Sequence, residues 1–200
     1  MTSRPDGIMS QRAQLLSNLV NIPLLGHAVR RVAGTYLEGS TTTIRVGRLA
    51  GYKWRRHHRY VNGYWVGNYE LPIQRCLERL LAPGSTFYDI GGNAGFFALL
   101  GADLVGPGGR GFTFDPVPEN GSSISEQLVL NGLAHVQHVN LAIGGAAGTS
   151  EFSFSLSNLA AGHLGKPQAG DRTITVGVTT LDVFTQRHPS PDVIKLDVEG

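Results

Sequence analysis

The sequence predicts an α/β fold, a parallel sheet of at least four strands flanked by helices and preceded by an N-terminal extension. Three observations carry that expectation. The apolar run Thr86–Ile90 meets a glycine-rich turn, and the turn opens into residues 94–105, whose apolar side chains recur at helical spacing. Strand-type and helix-type segments then alternate, the pattern of strand–helix–strand units. The strand-type segments at 110–115 and 192–197 both end in acids, at the edge of the sheet where open α/β folds bind ligands.

The central stretch reads Phe87-Tyr88-Asp89-Ile90-Gly91-Gly92-Asn93-Ala94-Gly95-Phe96-Phe97. Glycines at 91, 92 and 95 permit positive φ and let a backbone approach a ligand that a Cβ would push away. A dinucleotide fingerprint, G-x-G-x-x-G, fails here, because Asn93 and Phe96 stand at its last two glycine positions. The pattern Asp89-x-Gly91-x-Asn93-x-Gly95 instead resembles motif I of class I S-adenosyl-L-methionine methyltransferases, with Asn for the middle Gly. A carboxylate at that strand end repels a pyrophosphate and suits an ammonium. A plain strand-to-helix turn with Asp89 as a helix cap is the alternative.

Taken in order, residues 10–33 carry apolar positions broken near Pro23 and Gly26, as in short helical segments that dock on the domain or on a second subunit. Segments 41–46 and 60–65 read as short strands around the run Tyr52-Lys53-Trp54-Arg55-Arg56-His57-His58-Arg59, which suits phosphates, sugars or bases, or forms a solvated basic turn. Residues 71–81 read as an amphipathic helix stopped by Pro83 and Gly84. Just before it, Tyr69 and Glu70 face the methionine end of a cofactor pocket, or serve as a helix staple and a first-turn acid. The strand at 110–115 ends in Asp115, 24 residues after Gly91, within reach of ribose hydroxyls; with Pro116 following, a helix cap is the other role. A helix over 117–130 and a strand over 135–141 follow, with Ala142 leaving room for a purine ring. Two alternating strands, 149–155 and 173–178, flank a polar loop, 157–170, placed as a substrate lid or a surface hairpin. A helix over 179–187 leads to the apolar strand 192–197 and to Asp197 and Glu199.

Composition narrows the function classes. The 200 residues suit one α/β domain, residues 71–200, plus an extension, residues 1–70. A single cysteine excludes an internal disulfide and makes a reducing, cytoplasmic setting the default; no Cys/His set has zinc spacing, so no metal is expected. No apolar stretch is long enough to span a bilayer. Residues 1–80 hold 12 of the 17 Lys and Arg but only 4 of the 15 acids. A basic segment packed on an acidic domain accounts for that asymmetry, and nucleic acid is not the expected partner.

The ordered series of Gly67-Asn68-Tyr69-Glu70, the central turn, Gly106-Pro107-Gly108-Gly109, Phe114-Asp115-Pro116-Val117-Pro118-Glu119-Asn120, Leu130-Asn131-Gly132-Leu133, Thr180-Leu181-Asp182 and Ile194-Lys195-Leu196-Asp197-Val198-Glu199-Gly200 resembles the FkbM family of methyltransferases over residues 38–200. Gly92 stands where the family usually has Ala, and Asp115 where it more often has Glu. The resemblance implies a Rossmann-like class I methyltransferase sheet, here reaching only its fourth strand, since the family's domain normally continues past the Asp-Val-Glu-Gly stretch. It implies S-adenosyl-L-methionine as cofactor, held by Tyr69, Glu70, Asp89, Gly91, Gly92, Asn93, Gly95, Asp115, Pro116 and Ala142. It implies O-methylation of a saccharide or small-molecule acceptor. Asp197 and Glu199, at the end of the fourth strand, are candidates for the base or for substrate ligands, and His163, on the segment read as a lid, is a candidate base or an exposed loop histidine. An RNA or protein methyltransferase using residues 45–59, and an inactive cofactor-binding fragment, are the alternatives.

Overall fold

The computed structural model describes residues 36–60, 62–155, 158–164 and 171–198. The helical segments expected over residues 10–33, and Glu199, lie outside them.

Two short strands, β1 (Thr41–Thr43) and β2 (Lys53–Arg55), form an antiparallel pair. Residues 64–66 make one 3-10 turn where a strand is expected, and the strand β2 lies inside the charged run instead. The reason is Trp54, 2% exposed and packed between Tyr64 and Phe96: the run alternates a buried ring with outward Lys53 and half-buried Arg55, which is strand periodicity. Then come α1 (Leu71–Leu80), β3 (Thr86–Ile90), α2 (Phe96–Val105), β4 (Arg110–Phe114), α3 (Pro118–Leu130), β5 (Val136–Val139), β6 (Ala142–Ile143), β7 (Gly148–Ser155), β8 (Asn158–Leu164), β9 (Asp171–Thr179), α4 (Leu181–Thr185) and β10 (Val193–Leu196).

The main sheet has order β10-β3-β4-β5, all parallel. Every residue of β3 is buried, because helices cover both faces. Phe87 packs with α2 and the N-terminal segment, whereas Tyr88 and Ile90 pack with Phe112, Phe114 and Phe184 of α4. A second sheet, β6-β9-β7-β8, begins just past the end of β5. It absorbs much of the segment read as a polar loop: residues 158–164 pair antiparallel with β7. Their Asn, Gly and Ala content carries little strand preference, and pairing with β7 overrides it.

The basic segment is docked on α3 by side-chain amides. The buried Gln127 accepts from Arg55 N–H and donates to Arg55 C=O, both at 2.9 Å, and Asn131 does the same for Lys53, both at 2.8 Å. The outer edge of β2 is thus satisfied by two amides one helical turn apart. Arg55 also donates to Gly39 C=O, Arg56 to the Ser40 hydroxyl, and Arg59 to Glu119 C=O, while His57 lies between Glu38 and Glu126. These cations are engaged with the protein itself.

Candidate functional site

A cavity of about 300 Å³ opens at the carboxyl ends of β3, β4 and β10. Its floor is the turn after β3, through Gly91, Gly92, Asn93 and Ala94. One wall is apolar, from Phe114, Leu141, Ala142, Ile143 and Phe152. The other carries Tyr64, Tyr69, Phe96 and Phe97, with Glu70, Lys195 and Asp197. Of the residues singled out in the sequence, the structure brings Tyr69, Glu70, Gly91, Gly92, Asn93, Asp115, Pro116, Ala142 and Asp197 to this one cavity. His163 lies on β8 opposite Ser153 of β7; its side chain is outside the described residues.

Two expected residues, Asp89 and Gly95, do not line it. Gly95 is turned toward α3, where an added Cβ would come within 3.1 Å of Ile124 Cα. Asp89 is fully buried under the turn, and neither of its oxygens accepts an aligned hydrogen bond among the described residues. Its one ion-pair partner among them is Lys195, with Nζ 3.2 Å from Oδ1. Lys195 also lies 3.4 Å from Asp197 Oδ2, donates to Gly91 C=O at 3.2 Å and sits over the Phe97 ring. It therefore stands between the buried acid and the cavity. The strand expected over 192–197 to be of buried type is half exposed instead, with Ile194 and Leu196 open on one face and Lys195 turned in on the other. The sequence signal for this is a lysine two residues before Asp197 in an apolar strand, which is costly unless a carboxylate waits inside. Burial alone pulls Lys195 down, but Asp89 and Asp197 more than reverse that and keep it charged. Burial pushes the Asp89 carboxyl up, and the Lys195 ammonium opposes it.

The glycines of the turn are packed closely against the protein itself. A Cβ at Gly92 would meet Thr113 Cγ2 at 2.2 Å and Ile124 Cδ1 at 2.9 Å. Four of the turn's N–H groups are also spent internally: Gly91 and Gly92 donate to Phe114 C=O, Gly95 to Gly92 C=O, and Asn93 to Asp115 Oδ2. A turn with these donors consumed is no phosphate cradle.

Asp115 follows β4 and is 5% exposed. It is not a helix cap: α3 begins at Pro118 with Val117 before it, and Asp115 Oδ1 accepts from Val117 N–H at 3.0 Å in a local turn. Burial pushes its carboxyl up to about 6, against the pull of Val117 N–H, Asn93 N–H and the Asn120 amide. A carboxyl raised in the folded state favours folding at low pH. Its contribution is full below the ordinary 3.8 and is lost as pH rises through about 6.

These features fit a nucleoside carrying positive charge. The apolar wall has room for a flat base, the Asp115 carboxylate is an acceptor for hydroxyls, and among the described residues Asp197, Glu70 and the buried Asp89 outnumber the single ammonium, Lys195, beside them. Among the described residues no cluster of His, Cys, Asp and Glu is arranged to hold a metal, and no helix is long and apolar enough to cross a membrane.

Solved structures with a similar region include a putative rRNA-methylase from Clostridium thermocellum (24% identity, 34% of this chain and 39% of that one, TM-score 0.34). Others are S-adenosylmethionine-dependent methyltransferases from Aquifex aeolicus (27% identity, 33% and 36%, TM-score 0.32) and Agrobacterium tumefaciens (18% identity, 53% and 34%, TM-score 0.36). This chain thus spans less than two fifths of the length of each. No curated protein matches. The model of the methyltransferase FkbM domain matches residues 89–200, from the buried aspartate of β3 through Asp115 and past β10, with its Lys195, and the Asp197 that follows it. With more than half of its length matched, the chain belongs to the FkbM family of S-adenosylmethionine-dependent methyltransferases.

Proposed function

We propose that this chain transfers a methyl group from S-adenosyl-L-methionine to a hydroxyl of a saccharide or other small-molecule acceptor. The observation that carries this reading is that one cavity is lined by the buried carboxylate Asp115, by the acids Asp197 and Glu70 and by the apolar side chains of Phe114, Leu141, Ala142, Ile143 and Phe152. When bound there, the cofactor supplies an electrophilic methyl on sulfur. The chain's own residues hold, orient and shield. Asp115 accepts from the ribose, and the wall from Leu141 to Ile143 with Phe152 packs the base and keeps water out. Asp197, whose side chain is 62% exposed at the mouth, takes the proton of the acceptor hydroxyl. Its ion pair with Lys195 fixes where that carboxylate points. Glu199 and His163 are the other candidates for that proton.

Two results test this. Calorimetry on the chain is expected to show one S-adenosylmethionine site, and the absence of binding overturns the reading. Asp197→Asn is expected to keep that site while lowering labelled-methyl transfer to saccharide acceptors by about 10²–10⁴-fold. Transfer undiminished in the variant removes Asp197 as base, and no transfer by the chain itself favours a cofactor-binding module without catalysis.

The raised Asp115 carboxyl adds a pH signature. Hydroxyl donors need the charged carboxylate, so cofactor affinity is expected to be level above about pH 7 and to fall as pH drops through about 6. Titrations between pH 5 and 8 read this directly, and a flat profile speaks against Asp115 as the sugar acceptor.

An RNA acceptor held by residues 45–59 is the weaker reading, because Arg55, Arg56 and Arg59 are already spent on Gly39, Ser40 and Glu119.

A further inference from the structure

Asp115 is held by three donors from three parts of the chain. Asn93 N–H reaches Oδ2 at 2.8 Å and Val117 N–H reaches Oδ1 at 3.0 Å. The third is the Asn120 amide on α3, whose Nδ2 lies 3.2 Å from both oxygens. A donor equidistant from the two stands across the outer edge of the carboxylate, the edge a sugar diol would approach. Which end of the Asn120 amide faces Asp115 is settled from elsewhere: its Oδ1 accepts from the Tyr60 hydroxyl at 2.7 Å. With the oxygen spent on Tyr60, the nitrogen is left to the carboxylate. Tyr60, Asn120 and Asp115 are 8%, 2% and 5% exposed, so water cannot replace a lost partner at little cost.

We infer that Tyr60 and Asn120 are positioning residues of the cofactor's sugar subsite. Tyr60, from the N-terminal segment, orients the Asn120 amide, and Asn120 holds the Asp115 carboxylate ready for ribose hydroxyls. The inference rests on the reading of Asp115 given above. A carboxylate offers about four acceptor directions; Asn93 and Val117 each take one, on opposite oxygens, and the Asn120 nitrogen is shared across the edge between the two oxygens at 3.2 Å from each. That shared edge is where a diol hydroxyl meets the carboxylate, beside the second N–H of Asn120. An acceptor next to a donor is the pattern that a vicinal diol matches, since one hydroxyl can donate while its neighbour accepts. Asn120 lines the cavity; Tyr60 does not, and acts only through it. Residues 36–60 thereby join the cofactor site from a distance, on the helix whose Gln127 and Asn131 hold β2.

The test is calorimetry with S-adenosylhomocysteine and its 2′-deoxy and 3′-deoxy analogues, on the whole chain and on Asp115→Asn, Asn120→Ala and Tyr60→Phe. In the unaltered chain the loss of a hydroxyl held by a charged group is expected to weaken binding roughly 10- to 100-fold. Asn120→Ala is expected to shrink that penalty to about threefold or less, and Tyr60→Phe, which keeps the packed ring, to shrink it partway. A merely structural role would weaken all three ligands by one common factor and leave the hydroxyl penalty intact, which overturns the inference. If Asp115→Asn itself leaves the penalty intact, the reading of Asp115 fails. If Asp115→Asn removes the penalty while both other variants retain it, only the positioning role falls.

Discussion

Replacing Lys195 with methionine is expected to cost about 3–5 kcal/mol of folding stability, the range seen when one partner of a buried ion pair is removed. Methionine keeps the stem beside Phe97 and deletes only the ammonium. What remains is Asp89, fully buried with no aligned hydrogen bond and, among the described residues, no other cation within ion-pair distance. The variant must then bury a bare carboxylate or protonate it. Protonation gives the result a pH signature. The Asp89 carboxyl, already pushed up by burial, rises further once the opposing ammonium is gone. A carboxyl raised in the folded state favours folding at low pH, so the deficit of Lys195→Met should shrink as pH falls toward the ordinary value of 3.8 and widen as it rises. Urea unfolding at several pH values reads both. Asp89→Asn in the same chain should return much of the loss, and that coupling separates the ion pair from a simple packing defect. A single variant within about 1 kcal/mol of the parent at neutral pH would mean that Asp89 is already neutral when folded.

The same residue shows where sequence reading reached its limit. The turn at 91–95, Asp115 and Asp197 were legible because short motifs and strand ends fix which acids meet at the carboxyl edge of a parallel sheet. Which way an acid at a strand end faces was not legible. Asp89 alternates with Tyr88 and Ile90, so it points to the side of Phe87 and α2, beneath the turn rather than into the cavity. Lys195 pairs with Asp89 across adjacent parallel strands, and that register exists only once β10 has taken its place beside β3. Helix α3 carries a subtler missed signal: Asn120, Gln127 and Asn131, seven and four residues apart, form a polar row on one helical face. A polar row reads as a solvent face by default. Here Asn120 and Gln127 are buried, and the row receives Tyr60, Arg55 and Lys53. The strand β8 was missed because its pairing with β7, rather than its composition, makes it a strand.

Gly91→Ala is the other change expected to act strongly, through two effects that a control separates. Gly91 has φ of 86°, where an L-residue with a Cβ costs about 1–2 kcal/mol. The added Cβ would also stand 2.1 Å from the carbonyl oxygen of Asp197, which is backbone and cannot swing aside. The end of β10 must then move away from the turn, straining the Asp197 N–H bond to Ile90 C=O at 3.0 Å and the Lys195 bond to Gly91 C=O. Overpacking of this kind adds about 1–3 kcal/mol, for a total of about 2–5 kcal/mol. Because Asp197 and Lys195 both line the cavity, cofactor affinity should fall with stability. Gly84 supplies the control: its φ is 93°, and nothing lies within 4 Å of the Cβ it would gain. Gly84→Ala should therefore show the backbone cost alone and leave cofactor binding untouched. Thermal unfolding and calorimetry on the two variants together measure the close approach of turn to strand. If Gly91→Ala loses no more stability than Gly84→Ala and binds S-adenosylmethionine as the parent does, β10 does not sit against the turn, and Asp197 has no fixed place over the cavity.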